Sequence, residues 1–268
     1  MKLASTISML IVVAIGAACA LRPHIEYSLR AAKGACSVVN FPEWQFPERK
    51  FNDGLGGIKF PIDFGVLMFR LAANTSSTIL VAADGDSGNG TWLTSNKYRM
   101  QLDNPAQLSL ASEEDWNRAT PLNLKDHHDF NVADDPRYPS GRYDPEPDTD
   151  IVYRGRVYRK TGKYWAGRGY REAVASIDGA WIMLQSYDGP LPSGKGFLQG
   201  GEPTEGPFYI DVFRASDGQP AFQIRGRLHH VEATYFYDSN GWALNHYMVL
   251  QLDSHRRSIV VCDPQKAH

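Results

Sequence analysis

The stretches Ala173–Tyr187, AVASIDGAWIMLQSY, and Ala233–Leu252, ATYFYDSNGWALNHYMVLQL, decide how this chain is read. Each sets a tight turn just before a tryptophan: Asp178-Gly179 ahead of Trp181, and Asn240-Gly241 ahead of Trp242. Asp-Gly and Asn-Gly tolerate positive φ, so both stretches read as strand, turn, aromatic-led strand. A unit this small cannot bury an apolar face alone. Its recurrence points to an architecture of repeated, mutually covering β units.

The neighbouring sequence agrees. Phe208, Ile210 and Val212 share one strand face by the period of two, Asp217-Gly218 turns the chain, and Phe222 and Ile224 supply the same face on return. Ser258 to Cys262 is a further apolar strand. Phe64–Leu71, Ser77–Ala83, Thr91–Thr94 and Asn96–Leu102 read as earlier strands, with a turn over Asp84–Gly90. One helix start is convincing. Ser112 can cap it, Asp115 follows three residues later, and Pro121 keeps the helix short. Long helical periodicity is absent, so the predicted class is all-β with at most short helices.

On these residues the C-terminal third resembles TolB-type and related Trp-Asp-like β-propeller repeats. In that family a Ser-Pro-Asp-Gly turn precedes a strand led by a bulky residue. Ser176-Ile177-Asp178-Gly179 follows the pattern with Ile177 in the proline's place, and Asp238-Ser239-Asn240-Gly241 follows it more loosely. Tyr209–Arg214 with Ala215–Gly218 looks like the outer hairpin of a blade. Gly179 and Gly241 lie 62 residues apart, against ~40–50 for a blade. The resemblance implies an irregular β-propeller-like fold that binds partners or ligands at exposed loops. A β-sandwich is the alternative architecture.

Met1-Lys2, the apolar run Ile7–Ala18 and the small residues around Ala18-Cys19-Ala20 form the pattern of a secretory signal, residues 1–20, cleaved after Ala20. The run is shorter than the ~20 residues a membrane span needs. Lipoprotein processing at Cys19 is a second export route. Residues 21–268 then read as one β-rich domain. The acidic, proline-containing stretch 126–150 reads as a surface loop, or as a divider between two halves. With 43% hydrophobic and 12% aromatic residues the chain is globular. Its net charge of -2 gives no global attraction to nucleic acid or anionic membrane. Cleavage leaves Cys36 and Cys262, which an oxidising compartment can join. Closing so long a loop contributes about 5 kcal/mol in the chain-entropy model. Two separate buried thiols are the other reading.

Residues 151–171 carry seven cations and no acid, with tyrosines and Trp165 interleaved. A hairpin turn is expected at Thr161-Gly162-Lys163. Arg156, Arg159, Tyr164, Trp165 and Arg168 are the candidate residues for holding an anionic or glycan ligand, or a protein partner. Neutralisation by the preceding acidic stretch is the competing reading. Gly85-Asp86-Ser87-Gly88 superficially resembles the nucleophile block of trypsin-like proteases and the Gly-Asp-Ser block of a lipase and esterase family. Ser87 is thus the one nucleophile candidate, but only His24 precedes it and a Gly-Asp-Ser turn needs no function. Asp84 and Asp86 offer oxygens at calcium-loop spacing, yet Gly88 and Ser95 stand where further ligands belong. Adjacent histidines, His127-His128 and His229-His230, point to opposite strand faces and do not chelate as pairs. These residues favour an exported binding or interaction module. The alternative is an extracytoplasmic hydrolase acting on glycans or esters.

Overall fold

The computed structural model describes residues 24–46, 63–86, 92–122, 124, 151–165, 173–188, 205–229, 240–253 and 257–267. In chain order the strands begin with β1 (His24–Ser28), β2 (Cys36–Asn40), β3 (Asp63–Leu71), β4 (Thr78–Asp86), β5 (Trp92–Gln101) and β6 (Leu108–Ala111). A short helix, α1 (Glu113–Arg118), precedes β7 (Thr120–Leu122). Next come β8 (Ile151–Tyr153), β9 (Arg156–Tyr158), β10 (Tyr164–Trp165), β11 (Ala173–Ala175) and β12 (Trp181–Tyr187). The last are β13 (Glu205–Arg214), β14 (Pro220–His229), β15 (Gly241–Ala243), β16 (Tyr247–Leu250) and β17 (Ser258–Cys262). The signal region 1–20 and the acidic stretch 126–150 lie outside the described residues.

These strands form four antiparallel sheets. A six-stranded sheet runs β1-β14-β13-β12-β10, with β11 also on β12. A four-stranded sheet runs β15-β16-β17-β2, and a five-stranded one runs β6-β5-β4-β3-β7. The fourth is the β8-β9 hairpin.

Burial orders the sheets into layers. On the four-stranded sheet, Met248, Leu250, Val260 and Cys262 join one core with Met183, Phe208 and other residues of the six-stranded sheet. Their strand neighbours Val249, Ile259 and Val261 join a second core with Phe69, Ile79, Val81 and Met100 of the five-stranded sheet. Consecutive side chains point to opposite faces, so the four-stranded sheet is the middle layer, covered on both sides. The two outer sheets are capped in turn. Tyr158 and Ile151 of the hairpin cover Ile182 and Leu184, and Trp116 of α1 covers Leu80 and Ala82.

The predicted propeller-like fold is therefore corrected. The sheets are open layers, not blades closed around a centre, and the β-sandwich alternative describes them better. The reason lies in the twin units. In the first, Asp178-Gly179 does turn the β11-β12 hairpin: Gly179 has φ 67° and its amide donates to the Ser176 carbonyl at 2.7 Å. In the second, Gly241 opens β15, and the chain reverses instead at Leu244-Asn245, with φ 47° and 50°. Gly241 serves close packing there: the Trp242 amide donates to the Leu124 carbonyl at 3.0 Å, and a Cβ at Gly241 would clash with that carbonyl. The units are not successive members of a ring but partners across two layers. Trp242 Nε1 donates to the Val174 carbonyl at 2.9 Å, the Ile177 amide to the Asn245 carbonyl at 3.0 Å, and Asn240 Nδ2 to Gln185 Oε1 at 2.9 Å.

Other local expectations shift in smaller ways. The capping box at Ser112 and Asp115 forms, and Asp217-Gly218 turns between β13 and β14. The two short strands read after Trp92 are one strand, β5, and β4 runs through to Asp86 where a turn was expected. The β8-β9 hairpin turns at Arg154-Gly155, both with positive φ, and not at Thr161-Gly162-Lys163. Cys36 lies directly opposite Cys262 in the β2-β17 register, and the two form a disulfide.

Two truncations test the middle layer. Leu250→Ala removes contacts to the six-stranded sheet, and Ile259→Ala removes contacts to the five-stranded one. Each is expected to cost about 2–5 kcal/mol in denaturant unfolding. A near-neutral result at either position would mean that its face is not buried.

Candidate functional site

Among the described residues three groupings of polar side chains bear on function, and one of them lies in the region that the sequence singled out. That region, residues 151–165, is a strap along the outer face of the six-stranded sheet. Asp211, nearly buried, accepts hydrogen bonds from the Thr161 amide at 2.9 Å, Thr161 Oγ1 at 2.8 Å and Gln223 Nε2 at 2.6 Å. The Gly162 amide donates to Ser186 Oγ at 2.9 Å. No side chain fits at Gly162, where a Cβ would lie 2.6 Å from the Tyr187 backbone nitrogen. What reads as a hairpin turn is the strap's anchor.

The five predicted ligand residues are spread along this strap. Arg156 brackets the β13-β14 turn, donating to the carbonyls of Ser216 at 3.0 Å and Asp217 at 3.1 Å. Arg159 is exposed just beyond β9. Tyr164 and Trp165 form β10 and pair with Tyr187 and Ser186, at the far end of β12 from Trp181. Trp181 pairs with Arg214, beside the turn that Arg156 holds. Six residue steps of strand, ~20 Å, therefore separate the two groups. Arg168 lies outside the described residues, as does Ser87. Asp84 is part-buried within β4, its Oδ1 accepting from the Gly85 amide at 2.8 Å. Burial, partly offset by that bond, pushes its carboxyl up.

The second place is a cleft of about 380 Å³ beside α1, lined by Asn74, Thr75, Thr78, Arg99, Gln101 and Asp115 among others. That volume falls within the range of small-molecule sites. Its rim is built firmly. The β3-β4 connection closes with the Ala72 amide donating to the Thr78 carbonyl at 3.0 Å, and Thr75 Oγ1 donates to the Ala72 carbonyl at 3.1 Å. Three cations hold α1 against the sheet. Lys97 pairs with Glu113, and Arg99 Nη2 meets Asp115 Oδ2 at 3.1 Å. Arg70 donates to the Trp116 carbonyl at 2.9 Å and lies 4.6 Å over the Trp116 ring. Arg99 also lines the cleft, and its Nε is buried with no hydrogen-bond partner among the described residues. A buried guanidinium donor without an acceptor is costly. The alternating strand Asn96–Leu102 was legible, but the role of Arg99 was not, because the acid that orients it comes from α1.

The third place is the edge of the six-stranded sheet. His24 and Glu26 are two apart on β1 and so share a face, and the register sets His229 opposite His24. The two imidazoles stack with centroids 4.1 Å apart and planes 3° from parallel. Glu26 Oε1 lies 3.7 Å from His24 Nε2 and 3.5 Å from His229 Nε2. Sequence reasoning took His229 with His230 as an adjacent pair that cannot chelate one metal from a strand. The usable signal was His24-x-Glu26, the period-two spacing that puts two donors on one face.

Comparison with protein-family models, with curated proteins and with solved structures finds no match for this chain.

Acid titration tests the seating of α1. Donation from the Ser112 hydroxyl and backbone amide, and the nearby Arg99, hold the Asp115 carboxyl below its ordinary value of 3.8. A depressed folded-state value stabilises above the ordinary one and is lost as pH falls through the lower value. Asp115→Asn is thus expected to be less stable than the native chain at neutral pH. The gap should close progressively below about pH 4. A gap that stays constant on acidification would show that the Asp115 charge does not matter.

Proposed function

We propose that this protein works outside the cytoplasm as a binding module, taking an anionic or glycan ligand in the Arg99 cleft. The observation that carries this reading is the Arg99 guanidinium, which lines the cleft beside Asp115, its buried Nε left without an acceptor among the described residues. Asn74, Thr75 and Gln101 add neutral hydrogen-bonding groups suited to carboxylates and sugar hydroxyls. Export is supported by the N-terminal signal pattern and by the Cys36–Cys262 disulfide, a bond that persists in oxidising compartments. Among the described residues no helix is long and apolar enough to cross a membrane.

A second reading is an extracytoplasmic hydrolase acting on glycans or esters. What favours it is Asp115, a cleft carboxylate held ionised beside Arg99. Glycan hydrolysis needs two carboxyl groups across the scissile bond, so this reading requires a second acid facing Asp115.

Titration with uronic-acid oligosaccharides separates the readings. Binding that Arg99→Gln weakens by tenfold or more, about 1.4 kcal/mol, without release of new reducing ends is the expected result. Turnover abolished by Asp115→Asn would favour the hydrolase, and unchanged affinity in Arg99→Gln would remove the cleft from either role.

Processing is checked separately. Protein recovered without reductant from an exporting host should begin at Leu21 and leave Cys36 and Cys262 unalkylated. Cytosolic retention with two alkylatable thiols would count against export.

A further inference from the structure

Glu26 on β1 stands within reach of two histidine nitrogens that come from strands 200 residues apart in the chain. Ligand atoms of His24, Glu26 and His229 all lie within 4.8 Å of one another. Zinc bonds to imidazole nitrogen and carboxylate oxygen run about 2.0–2.2 Å, so donors on a tetrahedral ion sit about 3.3 Å apart. The two carboxylate-to-imidazole separations, 3.5 and 3.7 Å, need to shorten by only a few tenths of an ångström. A second observation points the same way. His229 Nε2 is buried and has no hydrogen bond among the described residues, although Glu26 Oε1 stands 3.5 Å away. A ring nitrogen withdrawn from water and left without a partner is unfavourable unless something else binds it.

From this geometry we infer a transition-metal site, most suited to zinc, formed by His24, Glu26 and His229. Two imidazoles and one carboxylate form a donor set that zinc uses, and three protein ligands leave the fourth position to water or to an exogenous group. The backbone supplies the pre-organisation. The β1-β14 ladder fixes His24 opposite His229, and the strand period brings Glu26 to the same face. The parallel rings must fan apart so that both lone pairs converge, a side-chain rotation that leaves the ladder intact. His24 and Glu26 are half exposed or more, so two of the three ligand side chains meet solvent. The site stands on a different sheet from the Arg99 cleft and does not depend on what that cleft binds. Occupation would also pin β1, an edge strand, to β14, joining the start of the described chain to the sheet.

The test uses untagged full chain, stripped with chelator and titrated calorimetrically with zinc alone. Cobalt serves as a spectroscopic stand-in. One zinc per chain and a tetrahedral cobalt spectrum are expected. His24→Ala, His229→Ala and Glu26→Gln should each weaken binding by at least about tenfold. An unchanged unfolding midpoint of each metal-free variant, with the disulfide intact, shows that the loss is not unfolding. Absence of saturable binding overturns the site. So does saturable binding that the three variants leave unaltered, because the ion would then sit on other donors.

Discussion

Everything else in this structure depends on the two central strands of the middle sheet, β16 and β17, being covered on both faces, while β2 at the edge exposes Ser37 and Val38. β16 and β17 alternate strictly between two cores, so every residue from Met248 to Leu250 and from Ile259 to Cys262 is nearly inaccessible. Strands buried on both sides must satisfy every backbone group by pairing and exclude unpaired polar side chains. They do so by antiparallel pairing across β15-β16-β17-β2, with one polar insertion. Asn240 bonds Gln185 of the facing sheet and accepts from the Gln251 amide at 2.8 Å, so the amides satisfy one another inside the interface. Fully burying a side chain of the Leu or Ile class contributes roughly 1.5–3 kcal/mol. Two cores sharing one sheet make a loss on either face felt on both.

The outer faces solve a different problem. There, apolar rows are covered only over part of their length, and polar clamps complete the cover. On the six-stranded sheet Asp211 and Ser186 hold the Thr161-Gly162 anchor, while Tyr158 packs on Phe213. On the five-stranded sheet Lys97, Arg99 and Arg70 hold α1. The cleft is a by-product of that second clamp, because a helix of six residues is too short to cover the row that reaches Thr78 and Gln101. Chemistry-bearing groups therefore collect where cover stops, at the end of α1 and at the β1 edge. Tyr187 shows the reverse case. Buried against the middle sheet with its hydroxyl donating to the Glu205 carbonyl, it is pushed up to about 12 by desolvation and stays neutral.

Local structure was largely legible, and the exceptions have physical causes. The Ser112 capping box, the Asp217-Gly218 turn and the alternation of Phe208, Ile210 and Val212 are read within a few residues and form as read. Asn240-Gly241 carries the same turn signal as Asp178-Gly179 but is spent on close packing against Leu124. Arg156 shows a similar diversion. Its charge suggested a ligand, and its guanidinium instead brackets the carbonyls of a turn sixty residues away. The candidate sites were hardest to see because their members meet only by register. His24 and His229, or Arg99 and Asp115, have no spacing rule that links them.

By itself the sequence determined the class of this protein: largely β, with a short helix opening at Ser112. It also marked the two cysteines whose pairing joins β2 to β17. Those properties follow from side-chain period, turn chemistry and the count of thiols, all of which act over short spans or need no geometry. Only the tertiary structure decided that the twin tryptophan units face one another across layers instead of following one another around a ring. It alone brought His24, Glu26 and His229, and Arg99 and its cleft, into place. A strand's pattern says that a face must be buried, but not against what. Which partner covers it depends on the complementarity of whole sheets, as where Gly241 packs against the Leu124 backbone with no room for a side chain.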